Sequence, residues 1–197
     1  MEMKYNLSEI TEVIRERRSV YPESYSSRVV HKEIIEDVLN NAIWAPTHGM
    51  IQPWRFKVYT GDAVKGAGLE LEKVYKRVIP EAEWSERKLA KLKERSESLS
   101  VLVFICMTPD GNTTIPEIEN VSAVACAVQN MYLTCTAYGL GSYWSSPKYI
   151  YSEEMKEFLG LGKDDKCMGI FYMGYPEGEW PKSHRKPLEY VTEWHEE

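Results

Sequence analysis

Residues 119–138 read ENVSAVACAVQNMYLTCTAY and carry the most apolar helical pattern of the 197-residue chain. Val124 and Val128 stand at helical spacing among other apolar positions, and small residues such as Ala125 lie between them. Because little of the circumference is polar, the pattern predicts a central helix that other elements surround almost completely. Gly139 follows directly, where a glycine favours the left-handed conformation that ends a helix.

Strand patterns before and after this segment predict a small β-sheet. Residues 101–107 (VLVFICM) and 167–175 (CMGIFYMGY) are nearly continuous apolar runs, which are typical of buried strands. Residues 54–59 (WRFKVY) alternate large apolar with polar or basic side chains, as a half-buried strand does. A further short strand is expected for SYW at residues 142–144.

Two helices are predicted ahead of the first strand. The first begins near Asn6, with Glu9 three residues later as its capping-box partner. The second runs over about residues 32–44. Pro46 ends it, because a proline disfavours helical geometry in the residue before it.

The highly charged region 62–99 carries apolar residues at helical spacing, and Pro80 is expected to divide it into two helices. A last helix begins after Ser152, which can cap it. The sequence shows no internal repeat and no second domain, so residues 1–197 are expected to form one domain. The predicted fold class is α+β, with helices around one small sheet.

Composition and charge exclude several classes of partner. With 43% hydrophobic and 27% charged residues, the chain resembles an ordinary globular domain. A net charge of -6 argues against broad nucleic-acid binding, which needs a basic face. No apolar run approaches the roughly 20 residues that span a bilayer, and the start MEMKYNLSEI does not resemble a signal peptide. We therefore expect no nucleic acid and no membrane as partners, and a cytoplasmic location.

Cysteines and histidines do not form a metal-binding pattern. The four cysteines stand in apolar surroundings without a C-x-x-C pair, which indicates reduced core thiols: Cys106, Cys126, Cys135 and Cys167. The four histidines lack ligand-like spacing: His31, His48, His184 and His195. We therefore predict no metal site. The sequence also lacks the motifs of serine hydrolases, P-loop proteins and Rossmann folds.

Arg17, Arg18 and Ser19 follow the first helix and offer two guanidinium groups and a hydroxyl. This set suits a phosphate, because a guanidinium can bond it through two parallel hydrogen bonds. The alternative is a basic helix end that complements the helix macrodipole. Taken alone, these three residues favour the alternative.

Residues 45–56 read APTHGMIQPWRF and place Thr47, His48 and Gln52 beside rigid prolines. A loop so restricted loses little conformational entropy when it binds a ligand. The alternative is a buried turn whose Trp54 fills the core. The residues alone leave both interpretations open.

Residues 139–147 read GLGSYWSSP, where glycines allow backbone amides to approach a flat ring and Trp144 could line it. The alternative is a helix cap followed by a strand. Considered together, the three segments offer an anion clamp, a rigid polar loop and a glycine-rich aromatic turn. These are the features that a phosphorylated, flat heterocycle requires.

The motifs occur in the order RRS, APTHGMIQPWRF, AVQNMYLTCTAYGLGSYW and GIFYMGYP. In this order and spacing the chain resembles the FMN-dependent nitroreductase family, and its PTH-x-x-x-QPW-x-F form resembles the small, short-chain branch. The resemblance extends from Ile14 to about Val191. It implies an α+β, nitroreductase-like fold with a small mixed β-sheet surrounded by helices. It also implies an intertwined homodimer, with a central helix at the interface and FMN between the subunits.

The resemblance further implies which residues bind FMN. Arg17, Arg18 and Ser19 match the segment that holds the ribityl phosphate, and Arg185 matches a basic residue near that phosphate. The other flavin contacts that it implies are Thr47, His48, Gln52, Gly139, Leu140, Gly141, Trp144, Ser145 and Ser146. In the family, the loop contacts often come from the partner chain. No side chain is implied as a catalytic acid or base.

One position departs from the family, since many relatives carry a flavin-contacting asparagine where this chain has Met50. His48 and Gln52 are then left to supply the polar contacts of the loop. Region 62–99 corresponds to the family's most variable part and is expected to form a helical cover. Tyr75 and Trp84 could reach a substrate from there, with core packing as the alternative for both.

The implied function is an FMN-dependent oxidoreductase that takes hydride from NAD(P)H. In a ping-pong cycle it would reduce nitroaromatic, quinone or similar small electrophilic acceptors. FMN carries the chemistry, and the protein binds and orients it. Three alternatives stay open: a specialised flavin reaction such as reductive dehalogenation or flavin fragmentation, a flavin-binding protein without turnover, and an α+β domain without flavin.

Overall fold

The computed structural model describes residues 4–111 and 114–196. Within these ranges the strands are β1 (Trp54–Thr60), β2 (Val101–Met107), β3 (Gly141–Ser145) and β4 (Lys166–Gly174). They form one four-stranded sheet in the order β1-β2-β4-β3, and each lies where the sequence pattern predicts it. Residues 1–3, 112–113 and 197 of the predicted single domain lie outside the described residues.

All neighbouring strands of the sheet pair antiparallel. The only parallel pairing within the described ranges is an isolated bridge between Ser19 and Ser142, at the β3 edge. The bridge stays short because the chain turns away through a 3-10 turn at Pro22–Ser24. The expected mixed sheet is therefore an antiparallel sheet with one parallel bridge.

The helices that the structure describes are α1 (Leu7–Glu16), α2 (Lys32–Ala42), α3 (Asp62–Val78), α4 (Glu86–Ser98), α5 (Glu117–Ala137) and α6 (Glu153–Leu159). The side chain of Asn6 caps α1 by accepting a hydrogen bond from the Ser8 N–H at 3.1 Å. Its amide donates to the Glu9 carboxylate at 2.7 Å, which confirms the predicted pairing of these two residues.

The other predicted helix boundaries agree closely with the structure. Pro80 lies between α3 and α4, as expected. The hydroxyl of Ser152 caps α6 by accepting from the Met155 N–H at 3.1 Å. Gly139 follows α5 with a φ of 69°, a left-handed conformation that glycine adopts at little cost.

Different helices cover the two faces of the sheet. Val103, Ile105 and Phe171 point toward α2 and α5, and together with Trp54 they form one buried core. The alternate strand positions point toward α3, α4 and α6 and form a second core. Trp54 is 4% exposed and packs in the core. This agrees with the alternative interpretation of residues 45–56, a buried turn whose tryptophan fills the core.

Region 62–99 therefore lies on the face of the sheet opposite to α5. The Tyr75 side chain is buried, and its hydroxyl accepts from the Ser85 N–H at 2.9 Å. Trp84 packs against the same core, and its Nε1 donates to the Ile79 carbonyl at 2.8 Å. Both aromatic residues thus serve packing. Within one chain the sheet lies between this region and α5, and the helical cover stays a prediction.

One side of α5 and the apolar stripe of α1 are uncovered in the single chain. The uncovered side of α5 carries Ile118, Ser122, Ala125 and Gln129, and the first and last residues of the helix, Glu117 and Ala137, are exposed as well. Helix α1 buries no residue, and its Leu7, Ile10 and Ile14 are 56%, 45% and 52% exposed. The prediction that the rest of the chain nearly surrounds α5 is therefore wrong for one copy on its own.

Among the helices of the described ranges, none combines the length and the apolar character needed to cross a bilayer. In the same ranges, no three or more His, Cys, Asp or Glu side chains are grouped so that they could hold a metal ion.

Candidate functional site

The segment Arg17–Ser19 begins where α1 ends, at Glu16. Arg18 Nη1 donates to the carbonyl oxygens of Arg15 and Arg17, the latter at 2.9 Å. These bonds satisfy carbonyls at the helix end, in line with the structural alternative for this segment. The Nε of the same side chain is buried and has no partner among the described residues. A buried N–H without an acceptor is costly, so this Nε marks a place where an acceptor is missing.

Arg18 and Arg185 line one surface cleft of about 460 Å³. The other lining residues are Ile14, Arg15, Ser183 and His184. Arg185 Nη1 donates to Ser183 Oγ at 2.7 Å and to the His184 carbonyl at 2.9 Å, and these bonds restrict its guanidinium. We name this cleft, with Arg15, Arg18 and Arg185, the basic cleft. It brings together two arginines that lie near opposite ends of the sequence.

Ser19 is held against the edge strand of the sheet. It bridges to Ser142 of β3, and the Val20 N–H donates to the Ser142 carbonyl at 2.9 Å. The Val20 carbonyl accepts from the Tyr25 hydroxyl at 2.8 Å. The Tyr25 ring in turn rests on Gly141, where an added Cβ would lie 2.9 Å from it. The basic segment is thus fixed to the strand that carries Trp144.

Tyr132 of α5 connects Arg17, Ser19 and Trp144. The guanidinium carbon of Arg17 lies 5.1 Å from the centre of the Tyr132 ring, a cation–π contact. The Tyr132 hydroxyl accepts from the backbone N–H of Trp144 at 2.6 Å. Burial raises the pKa of Tyr132, and a hydrogen bond with Ser19 opposes this shift. The sequence placed Tyr132 only on an apolar helix face, and its spacing from Gly139 gave no separate signal for this role.

The side chain of Trp144 is half-buried against the core on the α5 side. Its Nε1 is buried without a partner in the part of the chain that is described. Gly169 lies beneath it, and a Cβ there would come within 2.4 Å of that Nε1. Ser145 is half-buried and Ser146 is exposed at the end of β3. This edge strand therefore offers the indole N–H of Trp144 and the hydroxyl of Ser145 near Tyr132.

The turn from Gly139 to Gly141 acts mainly as a helix cap. The N–H groups of Gly139 and Leu140 donate to the carbonyls of Thr136 and Cys135, at 3.0 and 2.8 Å. The Leu140 side chain is fully buried. Capping therefore engages these two amides, and the flavin contact that the resemblance implies for this turn stays a prediction.

Residues 47–52 form an exposed, strained loop before β1, which we name the polar loop. The Thr47 hydroxyl accepts from the Gln52 N–H at 3.2 Å, which closes the loop. Met50 and Gln52 have φ values of 57° and 50°, a left-handed conformation that is uncommon without glycine. Such strain is frequent at ligand sites. The His48 imidazole pairs with the Glu119 carboxylate near the start of α5.

The structure does not bring all predicted site residues together within one chain. Glu119, which holds the polar loop, and Tyr132, which contacts Arg17, are about 20 Å apart along α5 at 1.5 Å per residue. The polar loop precedes β1 and Trp144 belongs to β3, so they lie at opposite edges of the sheet. Each chain thus carries two separate groups of predicted site residues, one near each end of α5.

Comparison with known proteins relates the chain to one family. The sequence profile described as the Nitroreductase family matches residues 14–175. Among curated proteins, the chain is 24% identical over 181 residues to "Putative NAD(P)H nitroreductase YfhC" of Bacillus subtilis (strain 168). This alignment covers 92% of the chain and 91% of that protein.

Solved structures share the fold. The nitroreductase-like family protein from Bacillus cereus has a TM-score of 0.84 and 27% identity, with 100% of both chains covered. A structure from Desulfovibrio desulfuricans in complex with FMN has a TM-score of 0.72 at 22% identity, and covers 98% of this chain and 99% of its own. At that lower identity the likeness shows the fold alone. Because the family profile matches most of its length, this chain belongs to the nitroreductase family.

Proposed function

We propose that the protein is an FMN-dependent oxidoreductase that uses NAD(P)H to reduce small electrophilic acceptors such as nitroaromatics and quinones. The observation that carries the proposal is the basic cleft, which Arg18 and Arg185 both line, together with the buried Nε of Arg18 that has no described partner. A phosphate supplies oxygen acceptors that suit such guanidinium groups. The name of the Bacillus subtilis relative, and the FMN in the Desulfovibrio desulfuricans structure, support the same assignment.

The residues present fit a flavin nucleotide. Arg18 and Arg185 would hold the phosphate, and Ser19, next to Arg18 in the chain, would lie beside it. Trp144 Nε1, buried without a described partner, offers a donor to a polar ring edge. Tyr132 would keep Arg17 and Trp144 in place through the contacts already described.

The uncovered surfaces support a homodimer. The exposed side of α5 carries Ile118 and small residues, which allow close approach of a second helix. Beside it, the exposed stripe of α1 adds apolar surface that water would otherwise contact. A twofold axis across α5 would set the amino-terminal half of one helix against the carboxyl-terminal half of the other. The polar loop of one copy would then lie near Tyr132, Arg17 and Trp144 of the other copy.

The end of the chain supports an intertwined arrangement. After Trp180, whose Nε1 donates to the Glu16 carbonyl at 2.7 Å, almost every residue is exposed. Leu188, Tyr190, Val191 and Trp194 are between 61% and 76% exposed. Apolar side chains at this density on an extended segment indicate an arm that packs on another chain.

When bound, FMN supplies the chemistry by accepting hydride from NAD(P)H and passing reducing equivalents to an acceptor. The protein binds the phosphate, orients the ring and restricts water at the subunit boundary. The positive groups of the basic cleft stabilise negative charge on the cofactor. No described side chain is assigned as a catalytic acid or base.

The experiment that tests this function is anaerobic reduction of the purified protein, loaded with FMN, by NADH and by NADPH. The visible absorbance of bound oxidised flavin should fall with at least one of them and return when a nitroaromatic or quinone is added. A protein that shows no flavin absorbance after excess FMN has been added and the unbound FMN removed would contradict the proposal. A protein that binds FMN but never loses its colour would be a flavin-binding protein without turnover.

A further inference from the structure

Cys106 of β2 and Cys167 of β4 lie directly opposite each other on neighbouring antiparallel strands. Both side chains belong to the same buried core, so the two sulfurs are on one face of the sheet. The pair stands beside a register irregularity between Ile105 and Cys106. Directly opposite residues of a regular antiparallel pair have Cα atoms about 4.5–5.5 Å apart, within the range of about 4.4–6.8 Å that disulfides span. The register of the two strands therefore permits a disulfide between them.

The two thiols are not equivalent. Their mutual hydrogen bond lowers the pKa of Cys167 and raises the pKa of Cys106. Burial opposes the first shift and adds to the second. The thiolate is the nucleophile, and these directions agree with the position of Cys167 in a surface cleft, which makes Cys167 the attacking sulfur and Cys106 the resolving one.

Cys167 is also the one of the pair that a small reagent can approach. It lines a cleft of about 340 Å³ together with Lys156 and Lys166. Lys156 pairs with Glu153, and Lys166 pairs with Glu117, so carboxylates already balance both lysine charges. Cys167 keeps 2% of its surface exposed and Cys106 keeps none, so a small reagent would reach Cys167 first.

The other two cysteines lack these features. Cys135 is fully buried on α5, and Cys126 is half-buried on the same helix. Neither of them lies opposite a cysteine in the strand pairings of the described residues. They serve as internal controls within the same molecule.

We propose that Cys106 and Cys167 form an oxidisable dithiol whose reagent is a small peroxide. The Cys167 thiolate attacks one peroxide oxygen and the O–O bond breaks, which gives a sulfenic acid at Cys167 and a hydroxide that leaves as water. The Cys106 sulfur then attacks the Cys167 sulfur, and the sulfenic hydroxyl leaves as water with the Cys106 proton. In sum, two thiols are oxidised to one disulfide and one hydrogen peroxide is reduced to two waters. This inference is independent of the flavin chemistry proposed above.

The test is disulfide mapping of the full-length protein after treatment with hydrogen peroxide in the dark. The protein is then unfolded, its remaining thiols are alkylated, and it is digested and analysed by mass spectrometry. We expect the number of free thiols to fall from four to two and a linked peptide pair to join Cys106 to Cys167. Dithiothreitol should reverse both changes. Four free thiols under conditions that oxidise free cysteine, or a link between any other pair, would overturn the proposal.

Two variants separate the roles of the sulfurs. In Cys106→Ser the reaction should stop at the sulfenic acid of Cys167, which dimedone traps. In Cys135→Ser, the matched control from the buried helix, the link between Cys106 and Cys167 should form as in the unaltered protein. A dimedone adduct absent from Cys167 in a folded Cys106→Ser protein would contradict the assigned order of attack.

Discussion

Arg18 uses different atoms of one guanidinium for two interactions. Its Nη1 bonds the carbonyls at the end of α1, while its Nε is buried without a partner in the described chain. The helix-end and phosphate interpretations of the sequence are therefore compatible, because neither uses all the donors of the side chain.

Replacing Arg18 with alanine should weaken FMN binding more than it weakens folding. Loss of a hydrogen bond to a charged group costs about 1.5–3 kcal/mol, which corresponds to an increase of about 10- to 150-fold in Kd. Titration of the unliganded protein with FMN measures this change. Arg87→Ala, which removes an exposed arginine of α4, is the control and should bind FMN normally. Equal losses of binding and stability in Arg18→Ala would indicate a purely structural arginine.

Tyr132→Phe should lower the free energy of unfolding by about 1–3 kcal/mol, because the part-buried backbone N–H of Trp144 in the edge strand loses its acceptor. Urea unfolding of the protein without cofactor measures the change. Tyr138→Phe removes a hydroxyl that donates to the exposed Asp37 carboxylate. This control should stay within about 0.5 kcal/mol of the unaltered protein. Equal losses of stability in the two variants would contradict the role of Tyr132 in holding the edge strand.

At the scale of elements, the sequence predicts what local chemistry determines. The Asn6 cap, the break at Pro80 and the left-handed Gly139 each specify a boundary from a few neighbouring residues. Periodicity likewise identifies the buried strands. Pairing between distant elements has no local signal, so only the family resemblance could predict that Arg18 and Arg185 line one cleft. The same limit hides the link from Tyr132 to Trp144.

The crossing of α3 and α4 depends on a glycine at one position. A Cβ added at Gly68 would lie 2.0 Å from Ser96 Cβ, whereas one added at Gly66 meets nothing within 4 Å. Gly68→Ala should therefore force the helices apart and cost about 1–3 kcal/mol. Gly66→Ala in the same helix should stabilise the protein by about 0.5–1 kcal/mol, because alanine favours the helix. Urea unfolding of both variants checks the pair, and the same sign for both would contradict this account of the packing.

At the scale of the whole molecule, the helical pattern of residues 119–138 correctly predicts a helix that needs apolar surroundings. One chain supplies them on one side only, and the side around Ala125 stays exposed. Amphipathic spacing reports which faces are apolar, but not whether the same chain or a second copy covers them. For this reason the sequence pattern alone could not assign the interface.

Ala125→Arg should break the proposed dimer, because a long charged side chain would enter the close helix contact. Sedimentation should then show particles of one 22.8 kDa chain where the unaltered protein shows two. Ala90→Arg, at an exposed position of α4 behind the opposite face of the sheet, is the matched control and should leave the dimer intact. If Ala125→Arg also sediments as a dimer, α5 is not the interface.

The central claim is that each FMN is held by the basic cleft of one copy and the polar loop of the other. It is tested most directly by mixing two variants that each bind FMN weakly, Arg18→Ala and the double variant His48→Ala/Gln52→Gly. The FMN concentration is chosen to fill the sites of the unaltered protein but few sites of either variant. After unfolding and joint refolding, random pairing makes half of the dimers mixed, and each mixed dimer regains one intact site. We predict that flavin absorbance returns to about a quarter of the value for the unaltered protein. No recovery in a mixture that contains mixed dimers would show that each site is built within one chain, and would contradict the claim.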